Sequence, residues 1–185
     1  FDGDFHSVLS TSEEMHDYVI AIGGFSKSFA MTGWRVGYTI MPEHLYDIAI
    51  KLQEPVTTCA SSISQKAAES ALTSVQSEDF LHEMKQRYRV KRNRVCDLLD
   101  QFNMPYVKPD GAFYLTIDVS KTGRDSKEFA LSLLEEERVA VAPCKTFGPS
   151  GEQLVRICFA GEEVAVLTGV ERLCQFYHRK REVYA

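Results

Sequence analysis

The stretch EDFLHEMKQRYRVKRNRVCDLLDQF, residues 78 to 102, does most to limit what this chain can fold into. Leu81, Met84, Tyr88, Val95, Leu98, Leu99 and Phe102 recur near one face of a 3.6-residue repeat, with mostly polar residues between them. That spacing predicts one long helix with a single apolar stripe. Pro105 and Pro109 follow it, and a ring that fixes φ and lacks an N–H stops helical structure there. The helix is therefore a natural boundary, with α/β structure expected before it and a smaller α+β unit after it.

On the N-terminal side, DYVIAIGG (17 to 24) reads as a buried strand running into glycines, and RVGYTIM as a second strand closed by Pro42. Residues 43 to 53 and 62 to 75 read as helices, the second alanine-rich and suited to close packing. On the C-terminal side, GAFYLTIDV is rich in β-formers. DSKE at 125 to 128 has capping-box spacing and opens a helix through about Glu136. RVAVAP and LVRICFA are further strands, separated by a loop that contains FGPSGE. A last helix runs from about Glu163 to Arg179, carrying Val166, Leu167, Val170, Leu173, Cys174 and Tyr177 on one side. The expected organisation is an α/β region at 1–77, a connecting helix at 78–104 and a small α+β domain at 105–185.

Composition narrows the function classes. The chain is 185 residues long, 44% hydrophobic and carries a net charge of −5, which is globular and argues against a surface made for nucleic acid or anionic lipid. The basic run KQRYRVKRNR (85 to 94) falls on the long helix and reads as a solvated face. No apolar run approaches the roughly 20 residues a membrane span needs, and no signal-peptide pattern opens the sequence. Cys59, Cys96, Cys144, Cys158 and Cys174 are scattered and unpaired in spacing, as are the histidines, so reduced thiols in the cytoplasm and no metal site are expected.

Between the first two strands lies GGFSKSFAMTGWRVGY, residues 23 to 38, with Lys27 among small and apolar neighbours and Arg35 eight positions on. An ordinary lysine near a strand end snorkels its ammonium into water. A lysine kept from hydration instead supplies a neutral amine for condensation with a carbonyl, and an arginine fork close by matches a phosphate. Spacing alone leaves both readings open.

SKSFAMTGWRVGY closely resembles the Schiff-base lysine motif of class I/II aminotransferases, pyridoxal-phosphate enzymes of the aspartate aminotransferase fold. The resemblance continues through GAFYLTIDV and FGPSGEQLVRICFA, from about Asp17 to the last helix. It implies the C-terminal part of the large cofactor domain followed by the small domain. Carried across residue by residue, it implies that Lys27 bonds pyridoxal 5'-phosphate and acts as general base. It likewise implies that Arg35 binds the cofactor phosphate and that Arg156, in LVRICFA, pairs with the substrate α-carboxylate. An arginine emerging from an apolar strand needs such a partner, a structural salt bridge being the alternative. Amino-acid and 2-oxo-acid substrates and a homodimer follow from the resemblance too.

Four positions depart from the family pattern. Gly24 stands where many relatives have a phosphate-binding serine, Cys144 and Lys145 follow a proline usually trailed by a small residue, and Cys158 replaces a common serine. The resemblance also begins partway through the family pattern, with roughly one further domain's worth of chain expected ahead of it. That portion carries a glycine-rich phosphate turn, an aromatic stacked on the pyridine ring, an asparagine, and an aspartate with a nearby tyrosine. The expectation is a fragment that does not transaminate alone and leaves apolar sheet surface uncovered beside residues 18 to 23. A split enzyme and a truncated product are the alternatives. For the whole protein, transamination stands beside carbon–sulfur elimination on the same lysine, and beside the effector domain of a transcriptional regulator.

Overall fold

A computed structural model describes residues 1 to 182; the last three positions of the 105–185 span lie outside it. Its contacts form two units, Gly3–Met84 and a second that joins Phe1 and Asp2 to the chain from Lys85 onward.

In the first unit, β1 (Ala21–Gly24) and β2 (Gly37–Ile40) pair antiparallel, with Ala21 opposite Ile40 and Gly24 opposite Gly37. β1 starts four residues later than DYVIAIGG predicts. Glu13–Tyr18 winds into a 3-10 helix, and β2 gives no partner beyond Ile40, where Met41 and Pro42 turn the chain away. A 3-10 turn at Glu43–Leu45 leads into α1 (Tyr46–Thr57), and α2 (Ser62–Thr73) follows. The core here is small. Phe25, Met31 and Ala68 are buried, and Phe29, Val36, Ala67 and Ala71 pack around them, so the alanines of α2 let the hairpin connection approach closely.

Much apolar surface in this unit faces water. Tyr18, Ile20 and Ile22 are exposed, Ile22 at 84%, and α1 buries no residue although it carries Ile48, Leu52 and Val56. The expected uncovered sheet surface beside residues 18 to 23 is present.

α3 (Val75–Gln101) is the long helix, beginning three residues earlier than its apolar repeat suggests. In the second unit four strands pair antiparallel in the order β3-β4-β6-β5: β3 (Tyr106–Val107), β4 (Tyr114–Asp118), β5 (Ala142–Pro143) and β6 (Leu154–Cys158). α4 (Ser126–Glu137) and α5 (Glu163–Glu182) complete it. Alternation places Leu115 and Ile117 of β4, with Val155 and Ile157 of β6, on one face. They meet Val95 and Leu99 of α3, Phe129 and Leu133 of α4, and Leu173, Phe176 and Tyr177 of α5 in one core. Fully burying a side chain such as Phe129 contributes about 2 kcal/mol, and its edge-on ring contact with Phe176 at 5.2 Å adds to that.

The capping box forms as the sequence predicts. Asp125 accepts from the Lys127 and Glu128 N–H groups, and Glu128 accepts in return from the Asp125 N–H. RVAVAP yields only a two-residue strand. Arg138 caps α4 at φ +59°, and Pro143 has no N–H for the ladder, so pairing is confined to Ala142 and Pro143.

The C-terminal part of the basic run on α3 is taken up by internal partners, while Lys85 and Arg87 stay exposed as a solvated face. Arg92 is 1% exposed and pairs with Asp2 at 2.6 Å, with further bonds to the Pro109 carbonyl and Asn93. Arg89 also reaches Asp2 at 2.8 Å, Arg94 pairs with Glu163, and Lys91 donates to the Gly161 carbonyl. Phe1 lies over the Arg92 guanidinium, 4.9 Å from ring centroid to Cζ.

Candidate active site

Lys27 sits on the connection between β1 and β2, which is shaped by its own backbone. The Phe25 carbonyl accepts from the N–H groups of Phe29 at 3.2 Å and Met31 at 3.4 Å, and the Lys27 carbonyl accepts from Ala30 at 3.2 Å. Ala30 and Arg35 take left-handed backbone angles, φ +54° and +51°, a conformation that costs a non-glycine residue energy and must be held by its surroundings. Phe25 and Met31 supply that hold by burying themselves against α2, and the Tyr38 ring meets Phe25 edge-on at 5.6 Å.

With the aromatic neighbours turned toward α2, Lys27 faces outward. It is exposed, and among the described residues its ammonium has no hydrogen-bond or ion-pair partner. The shielding from water that the sequence reading asks of this lysine is thus not supplied by the described residues themselves. Arg35 is also exposed; its Nη1 donates to the Thr32 carbonyl at 2.7 Å, which leaves its other N–H groups available. Trp34 beside it is exposed.

Arg156 lies in the second unit, on β6, pointing away from the hydrophobic core. It stands opposite Thr116 of β4 and Ala142 of β5. Its guanidinium carbon is 4.4 Å from the centroid of Tyr114 and 4.9 Å from that of Phe147. Among the described residues the side chain has no hydrogen bond or salt bridge, so the structural ion pair weighed as an alternative is not found there. Cys144 is buried nearby. Burial pushes its thiol up and the Arg156 charge pulls it back in part, which describes an inert loop residue. Lys145 is tied to Asp125 at 2.8 Å and Glu152 at 3.3 Å. Cys158 is exposed.

Lys27 and Arg35 therefore share one connection of the first unit, and Arg156 belongs to the second. Tyr114 and Phe147 were not singled out by sequence reasoning. The period-2 pattern of GAFYLTIDV sets Tyr114 and Thr116 on one face, and that was the available signal for Tyr114.

The lysine–arginine connection belongs to one unit and the ring-flanked Arg156 to the other, and comparison with known proteins supplies the family. The sequence profile described as "Aminotransferase class I and II" matches residues 1 to 173. The chain belongs to that family, whose members depend on pyridoxal phosphate. It is 34% identical to Aromatic-amino-acid aminotransferase 2 of Thermococcus litoralis, covering 99% of this chain and 47% of that one. With the aspartate aminotransferase of Pyrococcus abyssi the identity is 35%, over 98% of this chain and 46% of the other. The crystal structure of an aromatic aminotransferase from Pyrococcus horikoshii superposes with a TM-score of 0.91 at 35% identity, covering 98% of this chain and 48% of that one. The chain spans about half the length of these relatives.

The donor set fits the cofactor's two ends. Pyridoxal phosphate presents an aldehyde and a phosphate; the connection offers an unengaged primary amine at Lys27 and a guanidinium with free N–H groups at Arg35. Ser26 and Ser28 adjoin Lys27 in the sequence.

Proposed function

We propose that the protein carrying this chain is an aminotransferase that moves an amino group from an α-amino acid to a 2-oxo acid. The observation that carries this reading is Lys27 itself, an amine without a partner held on a backbone-braced connection that also presents Arg35. Bound pyridoxal phosphate supplies the electron sink that makes the substrate's Cα–H acidic.

The chain's own residues divide the remaining work. Lys27 Nζ would hold the cofactor aldehyde and would move a proton at the substrate Cα. Arg35 neutralises the phosphate, orienting the cofactor from its far end. Arg156 receives the substrate α-carboxylate, which sets the Cα–H relative to the amine. We assign residues 1–77 to the large domain, 78–104 to the connecting helix and 105–185 to the small domain. The reading extends to a cytoplasmic homodimer. No helix among the described residues is long and apolar enough to cross a membrane.

The test is borohydride reduction of the protein saturated with pyridoxal phosphate, followed by peptide mapping. A pyridoxyl label on Lys27 and its loss in Lys27→Ala are expected; a label elsewhere overturns the assignment. Product analysis with an amino donor and a 2-oxo acid separates transamination from elimination.

A further inference from the structure

The geometry points to Tyr114 and Phe147 as positioning residues that hold the Arg156 guanidinium as a preset, uncommitted fork for a planar carboxylate. The inference rests on reading Arg156 as the carboxylate receptor and adds what prepares it.

The sheet register places Tyr114. Arg156 stands opposite Thr116, and Tyr114 is two residues along β4 on the same face, a diagonal neighbour within reach of an aromatic ring and a long side chain. Phe147 arrives from elsewhere, at the end of the 3-10 turn Cys144–Phe147 that follows β5. Its ring is 65% exposed and takes no part in the core, yet it stands 4.9 Å from the guanidinium carbon. Two rings from separate elements thus converge on one cation that no described carboxylate neutralises.

The choice of aromatic partners has a chemical consequence. A carboxylate would hold the arginine equally well, but it would occupy the N–H groups a ligand needs. An aromatic face attracts the cation through its quadrupole and takes up none of the N–H groups as a carboxylate does, so the five donors stay open. Fixing a side chain rich in rotamers before the ligand arrives removes part of the ordering cost of binding.

The experiment uses the 15N-labelled protein carrying this chain, follows the Arg156 Nε–Hε signal, and takes 3-phenylpropionate as probe with 3-phenylpropanamide as the neutral control. The acid should shift the signal saturably and the amide should not. Tyr114→Leu and Phe147→Leu should each weaken the acid about three- to tenfold, while Tyr114→Phe and Phe147→Tyr stay within about twofold of wild type. Leucine variants that bind like wild type overturn the positioning role and leave Arg156 as receptor. A wild-type chain blind to the acid overturns both, without touching the Lys27 label, which is read separately. Should a leucine variant fail to fold, the free wild-type spectrum decides. Rings against the guanidinium move its Hε upfield of the other arginines, and an ordinary shift refutes the arrangement.

Discussion

A β-carbon placed on Gly37 would stand 2.8 Å from the carbonyl oxygen of Gly23. The strands that carry the Lys27 connection approach one another this closely because Gly37 has no side chain, whereas a β-carbon on Gly24, opposite it, would meet nothing within 4 Å.

Gly37→Ala therefore collides with backbone, which moves only if the strands part, and it should cost about 1–3 kcal/mol. Gly23→Ala meets the Tyr38 ring, but that ring is the far end of a half-exposed side chain and can swing aside. Its cost is then limited to the contact with Phe25, about 0.5–1.5 kcal/mol. Denaturant titration of the two variants checks the order, and the reverse order contradicts the close approach.

Acid should weaken the second unit. The hydrogen bond from Arg92, helped by Arg89, holds the Asp2 carboxyl below the usual carboxylate range. The unfolded chain then binds that proton more readily than the folded one. The stabilisation is full above the ordinary carboxylate pKa and drains away as pH falls below about 4. Asp2→Asn should be less stable than wild type at pH 7, with the gap closing by about pH 2. Asp125 and Glu136 are lowered in the same sense by Lys145 and Lys180, so some acid sensitivity persists in the variant. Melting curves across pH measure it.

Thiol reactivity should divide the five cysteines. Cys59 and Cys158 are exposed, whereas Cys96, Cys144 and Cys174 are buried. Burial raises the pKa of all three buried thiols, that of Cys174 to about 12. A disulfide reagent at pH 8 should titrate two thiols quickly in the native chain and five in denaturant. Fast labelling of Cys174 contradicts its place in the core.

Arg35→Ala in the cofactor-binding form of the protein should weaken pyridoxal phosphate about 10- to 100-fold, the worth of a charge-assisted hydrogen bond. Pyridoxal, which lacks the phosphate, should bind both forms alike. Absorbance titration with the two ligands separates a phosphate contact from a general loss of structure. An equal loss for both removes Arg35 from the phosphate site.

The sequence showed the helices and the order of elements well, because each signal was local. The stripe from Leu81 to Phe102 and the Asp125–Glu128 cap each need only a few neighbouring residues to act. Strand ends were less legible. β1 begins at Ala21 because β2 runs only to Ile40, and β3, between Pro105 and Pro109, exists only because β4 lies beside it. The site divided in the same way. Lys27, Arg35 and Arg156 stood out by motif, while the exposure of Lys27 and the rings about Arg156 depend on packing that no local pattern states.

The Asp2 clasp also bears on the timing of assembly. Arg89 leaves the ribosome 87 residues after Asp2, on the order of ten seconds later at ordinary elongation rates. Throughout that delay neither Arg89 nor Arg92 is there for the carboxylate to meet, and the hairpin with Lys27 has already been made. Vectorial synthesis thus cannot finish the later-made unit by itself; an early segment must wait and then return to close it.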